Sequence, residues 1–235
     1  MPDFQLKAID DAMIRASWNR AADSKKAALF LHQRGKDHAI WDGLRKTLEA
    51  RGFSTLAIDL RGHGKSDGLG KRHDLKFDQV DDYHTMYYDV TAAMDFIRYD
   101  SPPLRGGVGE DVEVVIVGSS IGANLALAYA ADHFDVKAIA VFSPGLNYYG
   151  LRTDDVMIQY KHPLALISAK DDPSYADTQK LLKLPGVQRG NIWYQEYETG
   201  GHGIAILESH PELGEKIAEW MDISVNDILH PTLNS

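Results

Sequence analysis

VEVVIVGSSIGANLALAYAA, residues 112–131, is the stretch whose reading decides the fold. A β-branched, apolar run ends at Gly118-Ser119-Ser120-Ile121-Gly122, and an alanine- and leucine-rich segment follows with Ile121, Leu125 and Ala128 on one helical face. A strand that turns sharply into a helix through G-x-S-x-G is the pattern of a nucleophile elbow. The strained turn exposes a serine hydroxyl, and small flanking residues let the strand and helix backbones come close. The helix then aims its N-terminus, the positive end of its dipole, at the reacting centre. Ser120 is the candidate nucleophile.

Outward from this stretch, short apolar runs alternate with longer helical patterns, which predicts strand-helix-strand units and a mainly parallel sheet. Further strands are expected at 27–32, 53–59, 136–143, 163–168 and 191–198, their continuous apolar character suiting a sheet covered on both faces. A hairpin over 4–9 and 12–18, turning at Asp10-Asp11, precedes them and brings the count to eight strands. Helical spacing is present at 38–50, 80–98, 121–131, 175–184 and 211–221, so the fold class is α/β with helices on both faces of an eight-stranded sheet. Residues 101–110 read as a loop, and the segment after Met221 has no assigned role.

A second G-x-S-x-G, Gly64 to Gly68, has no orderly helix start after it, because Gly68, Leu69, Gly70, Lys71 and Arg72 follow. Ser66 is therefore a loop residue. Nor does Gly64-Lys65-Ser66 close a phosphate-binding loop, since the required first glycine position is Asp59.

A serine hydroxyl needs a base, and a neutral imidazole serves if a carboxylate fixes its tautomer. In an open α/β sheet, reacting groups gather beyond the carboxyl ends of the strands. His202 fits, set in Gly200-Gly201-His202-Gly203 four residues past a strand. For the acid, the strand at 163–168 leads to Asp171 and Asp172. Asp172 is favoured and Asp171 is the alternative, the other carboxylate being expected to cap the helix that begins near Ser174. The order is serine, acid, histidine.

These ordered motifs resemble the α/β-hydrolase superfamily, and the resemblance runs over nearly the whole chain. Residues 53–68 (FSTLAIDLRGHGKSDG) resemble the family's strand and loop ahead of its third helix, and Leu31-His32-Gln33-Arg34-Gly35 occupies the oxyanion-loop position. The resemblance implies a three-layer α/β-hydrolase sandwich. It also implies an oxyanion hole built from the backbone N–H of Ile121 and that of Arg34 or Gln33, with His32 shaping the loop. The family's usual residue after that histidine is glycine; here it is Gln33. The implied activity is a serine esterase acting on a small or medium acyl ester without a cofactor, with thioesterase, lipase or peptidase chemistry open to the same mechanism. A ligand-binding protein that keeps the scaffold without catalysis is the alternative from another class.

Between the strand ending at Ser143 and the next there is room only for a short flap, 144–162, within one domain over 1–235. Its Tyr148, Tyr149, Met157 and Tyr160 are candidate pocket residues. With 25 Lys and Arg against 34 Asp and Glu the net charge is −9, a field that repels nucleic acid. No apolar run is long enough for a membrane helix, and no secretory leader is read at the N-terminus, so no membrane partner and a cytoplasmic location are expected. The absence of cysteine removes thiolate chemistry, and singly scattered histidines without H-E-x-x-H predict no metal centre. Oligomeric state has no signal in the sequence.

Overall fold

The computed structural model describes residues 3–66, 83–99, 108 and 111–226. Its strands are β1 (Asp3–Lys7), β2 (Met13–Asn19), β3 (Lys26–Leu31), β4 (Ser54–Ile58), β5 (Glu113–Ser119), β6 (Val136–Phe142), β7 (Asn147–Tyr148), β8 (Leu151–Arg152), β9 (Leu164–Ala169) and β10 (Ile192–Tyr197). Eight of them form one sheet in the order β1-β2-β4-β3-β5-β6-β9-β10, while β7 and β8 form a small separate hairpin. β2 runs antiparallel to both neighbours, and every other pairing in the large sheet is parallel.

The period-2 alternation of strand side chains divides the core in two. Leu29, Leu56, Val114, Ile116, Ile139 and Leu166 join one apolar cluster, with Met86, Val90, Leu125 and Leu181 packed on that face. Phe30, Ala57, Val115, Val117, Ala140 and Ile167 join the other, covered by Leu44, Leu48, Ile206, Leu213 and Ile217. The helices that supply these covers are α1 (Asp42–Ala50), α2 (Met86–Tyr99), α3 (Ile121–Asp132), α5 (Tyr175–Lys183), α6 (Ile204–Ser209) and α7 (Glu212–Asn226), and α4 (Asp154–Gln159) lies in the 144–162 segment. The result is the three-layer α/β sandwich. From central β3 the chain steps to β4 on one side and later to β5 on the other, which opens a crevice at the carboxyl ends of β3 and β5.

Several local expectations shift. The hairpin turn holds three residues, Ile9 to Asp11: the Asp11 amide donates to the Ala8 carbonyl at 3.0 Å, and Asp11 adopts φ 69°. The helix expected over 38–50 begins as a 3-10 turn, His38–Trp41, because the Asp37 carboxylate accepts the Ala39 amide and Asp59 takes both the His38 amide and ring. The helix expected at 211–221 extends to Asn226. Residues 80–82, 227–235 and all of the 101–110 loop but Val108, Gly106 and Gly107 included, lie outside the described residues, as does the second half of the Gly64-to-Gly68 motif. No helix among the described residues is long and apolar enough to cross a membrane.

The described half of that second motif is a cap on β4. Gly64 adopts φ +55°, and a Cβ there would stand 2.2 Å from Asp59 Oδ2. The Lys65 amide donates to the same oxygen at 2.9 Å, and the Ser66 hydroxyl donates to the Asp59 carbonyl at 2.5 Å. Asp37, His38 and Asp59 bring ligand-type atoms within 4.8 Å of one another. Arg15 Nη1 already stands there, 3.4 Å from Asp59 Oδ2, and supplies the positive charge. Nearby, buried Arg61 pairs with Asp89 at 2.6 Å and with Asp10 at 2.5 Å, tying the first hairpin's turn to α2.

Candidate active site

The elbow forms as the sequence requires. Ser120 sits at φ 55°, ψ −116°, ahead of the first turn of α3, and its amide donates to the Phe142 carbonyl at 2.9 Å. A Cβ on Gly118 would lie 2.3 Å from the Gly122 carbonyl oxygen, and one on Gly122 would lie 2.3 Å from that of Leu31. Both glycines are therefore demanded by backbone approach.

The structure brings Ser120, His202 and Asp172 together from the ends of β5, β10 and β9. Ser120 Oγ is 2.8 Å from His202 Nε2, and His202 Nδ1 is 2.8 Å from Asp172 Oδ1. A carboxylate only accepts, so Nδ1 carries the proton and Nε2 faces the hydroxyl as an acceptor. Asp172 Oδ1 also accepts the Ser174 amide at 2.7 Å and hydroxyl at 2.9 Å. Burial works to raise the Asp172 pKa, but the His202 hydrogen bond, the neighbouring Ser143 hydroxyl and the Ser174 amide outweigh it and hold the carboxyl below its ordinary value. Asp172 Oδ2 is buried without a partner of hydrogen-bond geometry.

The adjacent carboxylates separate differently from the expectation. Asp172 both faces His202 and takes the Ser174 amide. Asp171 instead accepts the Gly200 amide at 3.2 Å and the Gly201 amide at 3.0 Å, holding the loop that carries His202.

On the oxyanion side, His32 is fully buried, with Nε2 accepting the Leu60 amide at 2.9 Å and Nδ1 donating to the Gln33 carbonyl at 2.8 Å. Burial pushes its pKa down to about 4, so the ring is neutral. The Gln33 side chain reaches behind the elbow, where its Oε1 accepts the Ser119 hydroxyl and the Ile204 amide, each at 2.9 Å.

A cleft of about 390 Å³ opens over Ser120 and His202, walled by Gln33, Arg34, Ile121, Tyr148, Tyr149, Pro173, Ser174 and Asp177. Of the four candidate pocket residues, Tyr148 and Tyr149 stand on this wall. Met157 and Tyr160 do not: they are 2% and 5% exposed and belong to the core, with the Tyr160 hydroxyl donating to the Pro163 carbonyl. Their segment turns these two side chains inward, so they pack rather than face the cleft.

Sequence reading passed over Pro173, Ser174 and Asp177, which become neighbours of Ser120 only when β9 and β6 pair. It also passed over buried Asn124. That amide donates to the Gly145 and Leu151 carbonyls and accepts the Gly145 amide, anchoring the base of the 144–162 segment to α3. At the mouth, Arg34 donates to the Tyr149 hydroxyl, and Tyr149 stacks on Tyr83 with ring centroids 4.2 Å apart.

Comparison with known proteins bears on the fold and the family. The family model described as "Serine aminopeptidase, S33" matches residues 22–157, more than half of the chain. The AB hydrolase superfamily protein YisY of Bacillus subtilis (strain 168) is 27% identical over 139 residues, 54% of this chain; that match spans 44% of YisY. Among solved structures, the Pyrococcus furiosus esterase PF2001 superposes with a TM-score of 0.76 at 17% identity, covering 95% of this chain and 91% of that one. Est1E from Butyrivibrio proteoclasticus, solved with ferulic acid bound, gives 0.73 at 18% identity over 95% of this chain and 100% of its own. At these identities the structural likeness speaks for the fold, and the family match speaks for descent. The chain belongs to the α/β-hydrolase superfamily, in the serine aminopeptidase S33 family.

Proposed function

We propose that the protein is a serine hydrolase that cleaves a small or medium acyl ester through an acyl-enzyme. The observation that carries this reading is the continuous Ser120–His202–Asp172 chain of hydrogen bonds, with both links at 2.8 Å, at the floor of an open cleft. His202 Nε2 takes the Ser120 proton as Oγ attacks the ester carbonyl, and Asp172 stabilises the imidazolium. The Ile121 amide and an amide of Gln33 or Arg34 stabilise the oxyanion. The proton then passes to the leaving alkoxide, and water, deprotonated by His202, releases the acid from Ser120.

The hairpin β7–β8 and α4 form a short flap on a single domain, too small to cover a long acyl chain, and this favours a modest ester. The esterase neighbours support the same choice. The family's description raises a second reading, an aminopeptidase, because the same nucleophile can attack an amide. Fluorophosphonate labelling with peptide mapping, beside turnover of short p-nitrophenyl esters and aminoacyl p-nitroanilides, tests both. Labelling at Ser120 with ester turnover is the expected result, and Ser120→Ala should remove both. Faster anilide turnover would replace the esterase by the peptidase. Folded protein that takes no label would bring forward the non-catalytic binding protein.

A further inference from the structure

We propose that Gln33 is a positioning residue whose carboxamide oxygen clasps together the three loops that carry the reacting groups; the inference rests on the serine hydrolase reading above. Gln33 Oε1 accepts the Ser119 hydroxyl and the Ile204 amide, each at 2.9 Å, from residues 86 and 171 positions away in sequence. Ser119 immediately precedes Ser120, and Ile204 follows His202 by two residues. Gln33 itself lies in the loop to which the proposed function assigns an oxyanion amide. One oxygen, with both lone pairs used, therefore fixes the elbow, the histidine loop and the oxyanion loop relative to one another.

The glycines around His202 bear out the tightness of this seat. Gly203 has φ +65°, and a Cβ there would stand 2.3 Å from Gln33 Oε1 and 2.4 Å from Ser119 Oγ. The Gly203 amide in turn donates to the Ser143 hydroxyl at 2.8 Å. The triad chemistry alone does not ask for a glycine after the histidine. The clasp does, because any side chain would displace the carboxamide. A glycine at position 33 could make no such bond, so this chain locks its loops by a contact that the resembled pattern lacks.

If the clasp sets geometry, its loss slackens the alignment of Ser120, His202 and the oxyanion amides while the triad side chains and every backbone amide remain present. Misplacement of about 1 Å can cost about a hundredfold, and a partial slackening about tenfold. The test combines Gln33→Met, of similar shape but without the acceptor, Ser119→Ala, and the double variant. Steady-state kinetics use p-nitrophenyl acetate, and amide hydrogen exchange at Ile204 is followed by NMR.

The expected result is kcat about tenfold lower in Gln33→Met with KM within about twofold, a smaller loss in Ser119→Ala, and a double variant no worse than Gln33→Met. Exchange at Ile204 should accelerate in Gln33→Met while amides of β5 keep their protection. Should Gln33→Met fail to fold, Ser119→Ala still reports, since it leaves the oxyanion loop intact. Unchanged kcat in the folded variants, or losses that simply multiply, overturns the inference while an active wild type keeps the proposed function. A wild type that neither turns over ester nor takes fluorophosphonate at Ser120 overturns the function itself, and the role of Gln33 with it.

Discussion

Acid should unfold this protein partly through one buried ring. His32 has no solvent exposure, its Nε2 accepts the Leu60 amide and its Nδ1 donates to the Gln33 carbonyl. A second proton would have to sit on Nε2, directly against the Leu60 N–H. Burial lowers the folded pKa from 6.5 to about 4, against smaller opposing effects led by the Gln33 carbonyl. The unfolded chain therefore binds this proton first as pH falls, and the contribution, present in full above pH 6.5, is lost between 6.5 and 4. From the two pKa values, linkage gives a loss of about 2 kcal/mol at pH 5 and about 3 kcal/mol at pH 4. Urea unfolding of the wild type and of His32→Asn at pH 7, 6 and 5 isolates the term as the difference between their pH dependences. The variant starts less stable, but its stability should fall less steeply. Parallel curves, or a His32 ring that titrates near 6.5 in folded protein by NMR, would refute the reasoning.

Other outcomes follow from the same contacts. Asp172→Asn should lower kcat by about 10⁴ by freeing the His202 tautomer, whereas Asp171→Asn should cost far less, since it loosens only the Gly200 and Gly201 amides; steady-state kinetics on a short ester separate the two. Gly122→Ala would place a Cβ 2.3 Å from the Leu31 carbonyl oxygen; with backbone on both sides, a stability loss of about 1–3 kcal/mol is expected by chemical denaturation. Arg61→Met strips the buried Asp89 of its partner and should destabilise by about 3–5 kcal/mol, seen as a lower Tm; an unchanged Tm would show that Asp89 finds another counter-charge.

The sheet was legible because strands such as β5 and β9 are buried on both faces and so carry unbroken apolar runs, and because Gly118 and Gly122 announce the elbow. Short elements were not legible. α6 has six residues, too few for a helical period to stand out, and β7 and β8 have two each. Ser120 and His202 can be placed from local context, since Ser120 directly follows a strand and His202 sits in a short glycine-framed loop just beyond one. The division of labour between Asp171 and Asp172 cannot, because one residue of loop register decides it. Met157 and Tyr160 show the reverse limit: aromatic and sulfur-bearing side chains near a sheet end look alike whether they face a cleft or the core, and only the path of α4 separates them. Gln33 stood out only as a departure from the family's glycine; what its side chain binds was not legible, because Ser119 and Ile204 are distant in sequence.

His202 hangs from the outermost strand. Among the described residues β10 pairs only with β9 and stands at the edge of the sheet, and all six of its residues are half-buried. An edge strand is held on one side only, so local opening there requires less free energy than global unfolding. Fraying of β10 would carry the imidazole away from Ser120 while the central strands stay paired. The base then depends on the contacts of its own loop with Asp171, Ser143 and Gln33, and in mild denaturant turnover would fade before the central strands lose their protection from hydrogen exchange.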